Sequence, residues 1–445
     1  VTVVMEKPSR TSATLCNASI VLYVLWLLLP AVQTTGRALT GVLAVGLFGA
    51  GVLLDGPNLK KQWYWLLLQA ACAALMPILL FVFLSRGGTN RLGFFVQHGM
   101  FWFPLVFCSY ARQRGDRRLW RGLKTALLAA VSVTVLTSIF WLVEGMFFRG
   151  DQVYAYARSL GNAEPGNEAY LKELMQKNIG GYDFVYAMVA ALPLTIQGIQ
   201  CSRGWKRAGF VLLTAAQTLM IVLSQYTYAM LYAALILAVE IVAALIRAIS
   251  RGKVGMGASL LLGLVPFVLV WLFRMPLLSL AAGLCKQAGL ENFAFSFEQL
   301  KIALEGGVTD ETSRMAYYQT AVAGIGRSPL LGSMLGGDKL LSLHSDVLDL
   351  LSGMGILGTA AVCGMIWLMG RGSLQGVKQS PHKAQLCVMW LAVLVTATLG
   401  TVCYSRDVMA VAALGTLLVL EGGQAQPAGE NQAGSQAFDT MQPSE

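Results

Sequence analysis

Charge is what this sequence has least of: across 445 residues, 13% are Asp, Glu, Lys or Arg, 56% are hydrophobic, and the mean hydropathy is +0.61. A soluble domain of this length needs far more polar surface, so the composition excludes one and implies an integral membrane protein. Histidine is scarce, with three in the chain, and the eight cysteines stand singly with no Cys-x-x-Cys pair and no His–Cys spacing. That pattern excludes a disulfide framework or a zinc motif. Six of the cysteines (Cys16, Cys72, Cys108, Cys363, Cys387 and Cys403) lie in or beside apolar runs and read as small core residues. The ten-residue alternation of a membrane β-barrel is missing, which leaves a helical bundle. No internal repeat of the kind that builds inverted transporter halves is visible. The first apolar run lacks an A-x-A-like cleavage site after it and is expected to be retained.

What the chain does have is a series of apolar runs near the roughly 20 residues that cross about 30 Å of hydrocarbon. They predict an all-α, polytopic membrane protein of about twelve spans. The expected spans are 16–33, 38–54, 63–84, 93–110, 124–147, 184–200, 208–224, 229–247, 256–273, 346–370, 384–403 and 407–421. Residues 1–15 read as a cytoplasmic N-terminal stretch, 16–421 as the membrane domain, and 422–445, rich in Gly, Gln and Ala, as a disordered cytoplasmic tail. A net charge of +10 would suit nucleic acid, but the densest basic run (Arg112, Arg114, Arg117, Arg118, Arg121, Lys124) lies between two spans. That is the place of a loop facing anionic lipid, so the expected partner is the bilayer and not nucleic acid. The other Lys and Arg of short loops concentrate on the same side, leaving Arg37, Arg86, Arg91 and Arg406 opposite. The positive-inside rule then makes both termini cytoplasmic.

Two outer loops, about 148–183 and 274–345, are too long to be simple connections. In the first, Glu168 to Lys177 can form a short amphipathic helix. In the second, Leu290, Phe293, Phe297, Leu300 and Leu304 recur at helical spacing, which predicts a helix along the membrane surface. Asp310 is placed to cap a further helix whose first turns carry Arg314, Tyr317 and Tyr318. Gly324, Gly326, Pro329, Gly332, Gly336 and Gly337 then predict irregular backbone before Leu340. Arg314, Arg327, His344, Asp346 and Asp349 thus gather at the mouth of the tenth span, where charge marks function by default. The aromatic set Trp63, Tyr64, Trp65, Phe101, Trp102 and Phe103 reads as an interfacial belt.

From Asp310 to Val362 the chain carries SRMAYYQTA, then PLLG, then HSDVLDLLSGMGILG. This resembles the signature region of the O-antigen ligase and O-antigen polymerase superfamily of membrane glycosyltransferases. In that family an arginine opens a helix, a Pro-x-x-Gly turn follows, and a His-Asn pair introduces a span that continues into Gly-x-x-Gly. The resemblance implies that Arg314 is the loop arginine and His344 the signature histidine. Ser345 stands where the family has Asn, and Ser224-Gln225-Tyr226 where it often has a Ser-Arg pair. The latter departure removes an expected phosphate-binding cation, for which Arg327, Arg406, Arg86 and Arg91 are the available outer replacements.

The implied reaction passes a glycan from a polyprenyl (undecaprenyl) diphosphate carrier to the hydroxyl of an acceptor glycan or lipid. It takes place on the outer face of the bacterial cytoplasmic membrane, during cell-surface or capsular polysaccharide synthesis. Arginine suits the diphosphate because its planar fork binds phosphate oxygens with two hydrogen bonds. Histidine suits the acceptor because its ordinary pKa lies near neutrality. Asp346 and Asp349 are placed to orient the imidazole or bind sugar hydroxyls, and Tyr317 and Tyr318 to stack on sugar rings. Guanidinium groups on the leaving group make a metal or other cofactor unnecessary, and other polysaccharide-assembly proteins are candidate partners. The missing central arginine favours polymerase over ligase. The alternatives are a transporter or flippase of lipid-linked glycan, which needs charge near the bilayer midplane, and a scaffold with a decayed site. The acids available for transport, Glu144 and Glu240, are expected near span ends.

Overall fold

Local chemistry sets several helix ends. Ser9 opens the first helix by accepting the Ser12 N–H on its hydroxyl at 3.1 Å, and Ser345 opens the tenth expected span by accepting from Leu348 at 3.2 Å. The computed structural model describes residues 9–33, 37–84, 91–114, 117–145, 168–224, 226–250, 254–255, 258–259, 262, 265, 272–287, 294–295, 297–298, 301–302, 305, 314–335, 340–342, 344–372, 382–400 and 405–422. Among these the regular structure is helical, without a strand.

The helices are α1 (Arg10–Leu28), α2 (Pro30–Gln33), α3 (Arg37–Leu53), α4 (Gly56–Leu84), α5 (Arg91–Arg114), α6 (Arg117–Glu144), α7 (Glu168–Gln176) and α8 (Tyr182–Cys201). They continue with α9 (Trp205–Leu223), α10 (Thr227–Ile249), α11 (Arg274–Gln287), α12 (Arg314–Arg327), a 3-10 turn (Gly332–Leu335), α13 (Asp346–Gly370), α14 (Lys383–Leu399) and α15 (Arg406–Gly422). Among the described residues seven helices are long and apolar enough to cross a membrane: α1, α4, α6, α8, α9, α10 and α13. Shorter apolar helices lie within α3, α14 and α15. The chain is therefore a helical, membrane-embedded protein.

The bundle is organised around α8. From Phe184 to Pro193 every residue of this helix is buried, and it packs against α9, α10, α14 and α15. A helix apolar all round belongs at the centre. Hydrogen bonds then tie the two ends of the bundle separately. At the basic end, Asp55 is buried between the Tyr110 hydroxyl (2.6 Å), the Asn58 amide (3.0 Å) and Arg114 Nε (3.7 Å). Gln69 there donates to Ser109 (2.9 Å) and to the Met369 carbonyl (3.1 Å). At the opposite end, Asn178, in the left-handed region at φ 57°, accepts the Ala31 N–H and donates to Thr134 and Thr137. Asparagine tolerates that backbone where most residues do not.

Several expectations change. Arg114 is not a free loop charge but half of a buried ion pair, because α1, α3 and α4 close over it. Cys16, Cys72 and Cys108 are buried, whereas Cys363 and Cys387 are exposed, and Cys403 lies outside the described residues. Trp63 and Tyr64 are exposed, but Trp102 and Phe103 are buried in the core. Both differences have one cause: a lipid-facing surface is as apolar as a core, so hydropathy does not separate them. Arg274–Gln287, expected to begin the loop, is helical, with Pro276 in the first turn where its missing N–H is harmless. The helix predicted over 290–304 falls mostly outside the described residues. Most of the expected span 256–273, together with Asp310, Gly336, Gly337 and residues 423–445, does so as well.

Candidate functional site

The mouth of α13 is built from short-range backbone chemistry. The Ser342 hydroxyl accepts the N–H groups of His344 (3.1 Å) and Ser345 (3.0 Å), folding the incoming chain back on itself. Ser345 then caps the helix. Asp349, one turn further, takes the Ser342 N–H on Oδ1 at 2.6 Å, and the Asp346 N–H donates to the Gly400 carbonyl at 3.2 Å. Both carboxylates are buried, at 3% and 6% exposure, and both sit in the first turn, where the helix dipole favours negative charge. Asp349 thus holds the loop that carries His344.

His344 is half-buried, with its ring 5.1 Å from that of Tyr317 and inclined at 61°. The Tyr318 hydroxyl donates to the Leu399 carbonyl at 3.1 Å, with the His344 carbonyl at 3.4 Å. These contacts fix α12 against the mouth of α13 and the end of α14. Arg314 opens α12 three positions before Tyr317, about 4.5 Å along the axis. Arg327 is exposed at the other end, thirteen positions or about 20 Å from Arg314, so α12 does not bring the two arginines together. The side chains of Arg314, Arg91 and Arg406 lie outside the described residues, as does all of Arg86.

Backbone packing below the mouth links the motif's two glycine-bearing pieces. α13 is interrupted at Gly355 (φ 64°, ψ −174°), and the N–H groups freed there, Ile356 and Leu357, donate to the Pro329 and Leu330 carbonyls at 2.9 and 3.1 Å. Gly332, at φ 63°, lies backbone to backbone against Gly353–Gly355, where a Cβ has no room. The irregular backbone starts later than expected, because Gly324 and Gly326 are helical. Gly324 serves close approach instead: a Cβ there would strike the Ser352 hydroxyl, which itself bonds the Leu340 carbonyl.

Tyrosines to which the sequence reading assigned no role adjoin this mouth. Tyr182, at the start of α8, packs against Tyr226 (5.1 Å, 90°) and Tyr186 (4.7 Å). Its hydroxyl lies 3.5 Å from where a Gly400 Cβ would stand, beside the carbonyl that receives Asp346. The turn from α9 to α10, where the family's central Ser-Arg pair is expected, therefore adjoins the α13 mouth through Tyr226 and Tyr182. Ser224 in that turn is buried and bonded to the Ile221 carbonyl at 2.7 Å, and Gln225 lies outside the described residues. The legible signal was the recurrence of tyrosines at the same ends of spans six and eight.

Glu240, expected near a span end, sits nine positions inside α10, about 14 Å from Ile249. It is buried, with the Gln200 amide at 3.5 Å. No protein-family model matches the chain and no curated protein matches it, so the O-antigen ligase and polymerase resemblance rests on the motif residues themselves.

Proposed function

We propose that this chain is a membrane glycosyltransferase of the O-antigen ligase and polymerase type. In this reading it has about twelve spans and a large loop between the ninth and tenth on the outer face of the bacterial cytoplasmic membrane. The observation that carries the reading is His344, held 5.1 Å from Tyr317 on the helix that Arg314 opens. In the reaction the acceptor hydroxyl oxygen attacks the anomeric carbon of the carrier-linked glycan. The carbon–oxygen bond to the diphosphate breaks and the polyprenyl diphosphate leaves. Neutral His344 takes the hydroxyl proton. Arg314, with Arg327, Arg406, Arg86 or Arg91, offsets the charge growing on the leaving group. Tyr317, Tyr318 and Tyr182, which are half-buried, offer aromatic faces to the sugars.

The test is to reconstitute the full chain, supply polyprenyl diphosphate glycan with and without acceptor, and compare variants. His344→Ala is expected to lower kcat by about 10²–10⁴-fold, and Arg314→Ala to lower it strongly, with turnover persisting in EDTA. A ladder of products identifies a polymerase and a single transfer a ligase. Full turnover by His344→Ala overturns the assignment. One observation favours the rival reading, a lipid-linked glycan transporter: Glu240 is a buried carboxylate well inside a span. Glycan crossing the bilayer without new glycosidic bonds is its signature.

A further inference from the structure

At the basic end, away from His344, a cleft of about 290 Å³ opens between α6, α8, α9 and α15. Lys124 and His382 line its basic end, and Leu128, Val131 and Phe210 line the rest together with Thr195 and Gln217, whose polar atoms are engaged with each other at 3.0 Å. Along α8 the lining runs from Ser202 to Ala191, eleven positions or about 16 Å, which is half of a roughly 30 Å hydrocarbon core. The cleft is thus as deep as one leaflet, with its cation at the headgroup end. The volume lies at the bottom of the roughly 300–1,000 Å³ range of small-molecule sites, so it admits one acyl chain and not two. Its described lining includes no carboxylate.

We infer that this cleft binds one anionic phospholipid, its phosphate at Lys124 and one acyl chain against Leu128 and Val131. Charge at the mouth selects the headgroup, and the apolar depth holds the chain. Phosphatidylcholine offers no net charge, so it is the discriminating control.

The experiment uses the full chain in nanodiscs of phosphatidylcholine with added phosphatidylglycerol, transferred to lipid-free detergent, with retained lipid counted by native mass spectrometry. Wild type is expected to keep a single phosphatidylglycerol, favoured over phosphatidylcholine about fivefold for one lysine. Lys124→Glu, at an exposed position, is expected to abolish that preference. Leu128→Trp is expected to fill the cleft and release the lipid. Thermal unfolding of both variants checks that they fold. Equal retention of the two lipids by wild type, or wild-type retention by both folded variants, overturns the inference.

Discussion

Asp349 shows how one side chain at the mouth of a span can also hold backbone. Its charge at the mouth of a span marks it as a candidate for sugar hydroxyls, yet one of its oxygens is engaged by the Ser342 N–H at 2.6 Å. A hydrogen bond to a charged acceptor contributes about 1.5–3 kcal/mol. Asp349→Ala is therefore expected to lower stability by about 2 kcal/mol, read by thermal unfolding in detergent. Asp349→Asn keeps a carbonyl oxygen for that N–H and is expected to retain most of the stability and activity. A full loss of turnover in a stable Asn variant would assign the carboxylate to substrate instead. The residue types at this mouth were legible from the sequence. Which of them hold backbone was not, because the bond spans a turn whose shape depends on Ser342 and Ser345 together.

At the scale of elements, α12 and the broken α13 form one unit. The break at Gly355 frees two N–H groups, and the carbonyls of the Pro329–Leu330 turn receive them. Left-handed backbone and the absence of space at Gly355 both oppose a side chain. Gly355→Ala is expected to cost about 3 kcal/mol or more and to lower activity by detaching the turn from α13. Gly364→Ala, in the same helix with nothing within 4 Å of its added Cβ, is the control. It is expected to be neutral or stabilising by up to about 1 kcal/mol. Equal loss in both variants would mean that the turn does not depend on this contact. The sequence marked the loop glycines as breaks, ran the expected span 346–370 straight through Gly355, and assigned Gly324 the wrong task. Whether a glycine bends a helix or admits a neighbour depends on what lies opposite it.

For the whole molecule, the Asp55–Arg114 pair locks the N-terminal helices at the basic end, far along the bundle from His344. Removing one partner of a buried pair leaves an uncompensated charge, at a cost of about 3–5 kcal/mol. Arg114→Met is expected to show that loss in thermal unfolding. The double variant with Asp55→Asn is expected to recover most of it, since the remaining group is then neutral. Additive losses would show that the pair does not act as a unit. The sequence by itself determined that the chain is helical and membrane-embedded, because a bilayer demands apolar helix and that demand is local. Only the tertiary structure decided that Tyr182 and Tyr226 adjoin the α13 mouth, that Arg327 stands apart from Arg314, and that Trp102 is core while Trp63 is surface. Those outcomes depend on which helix faces which, and lipid and protein interior look alike to a hydrophobic side chain.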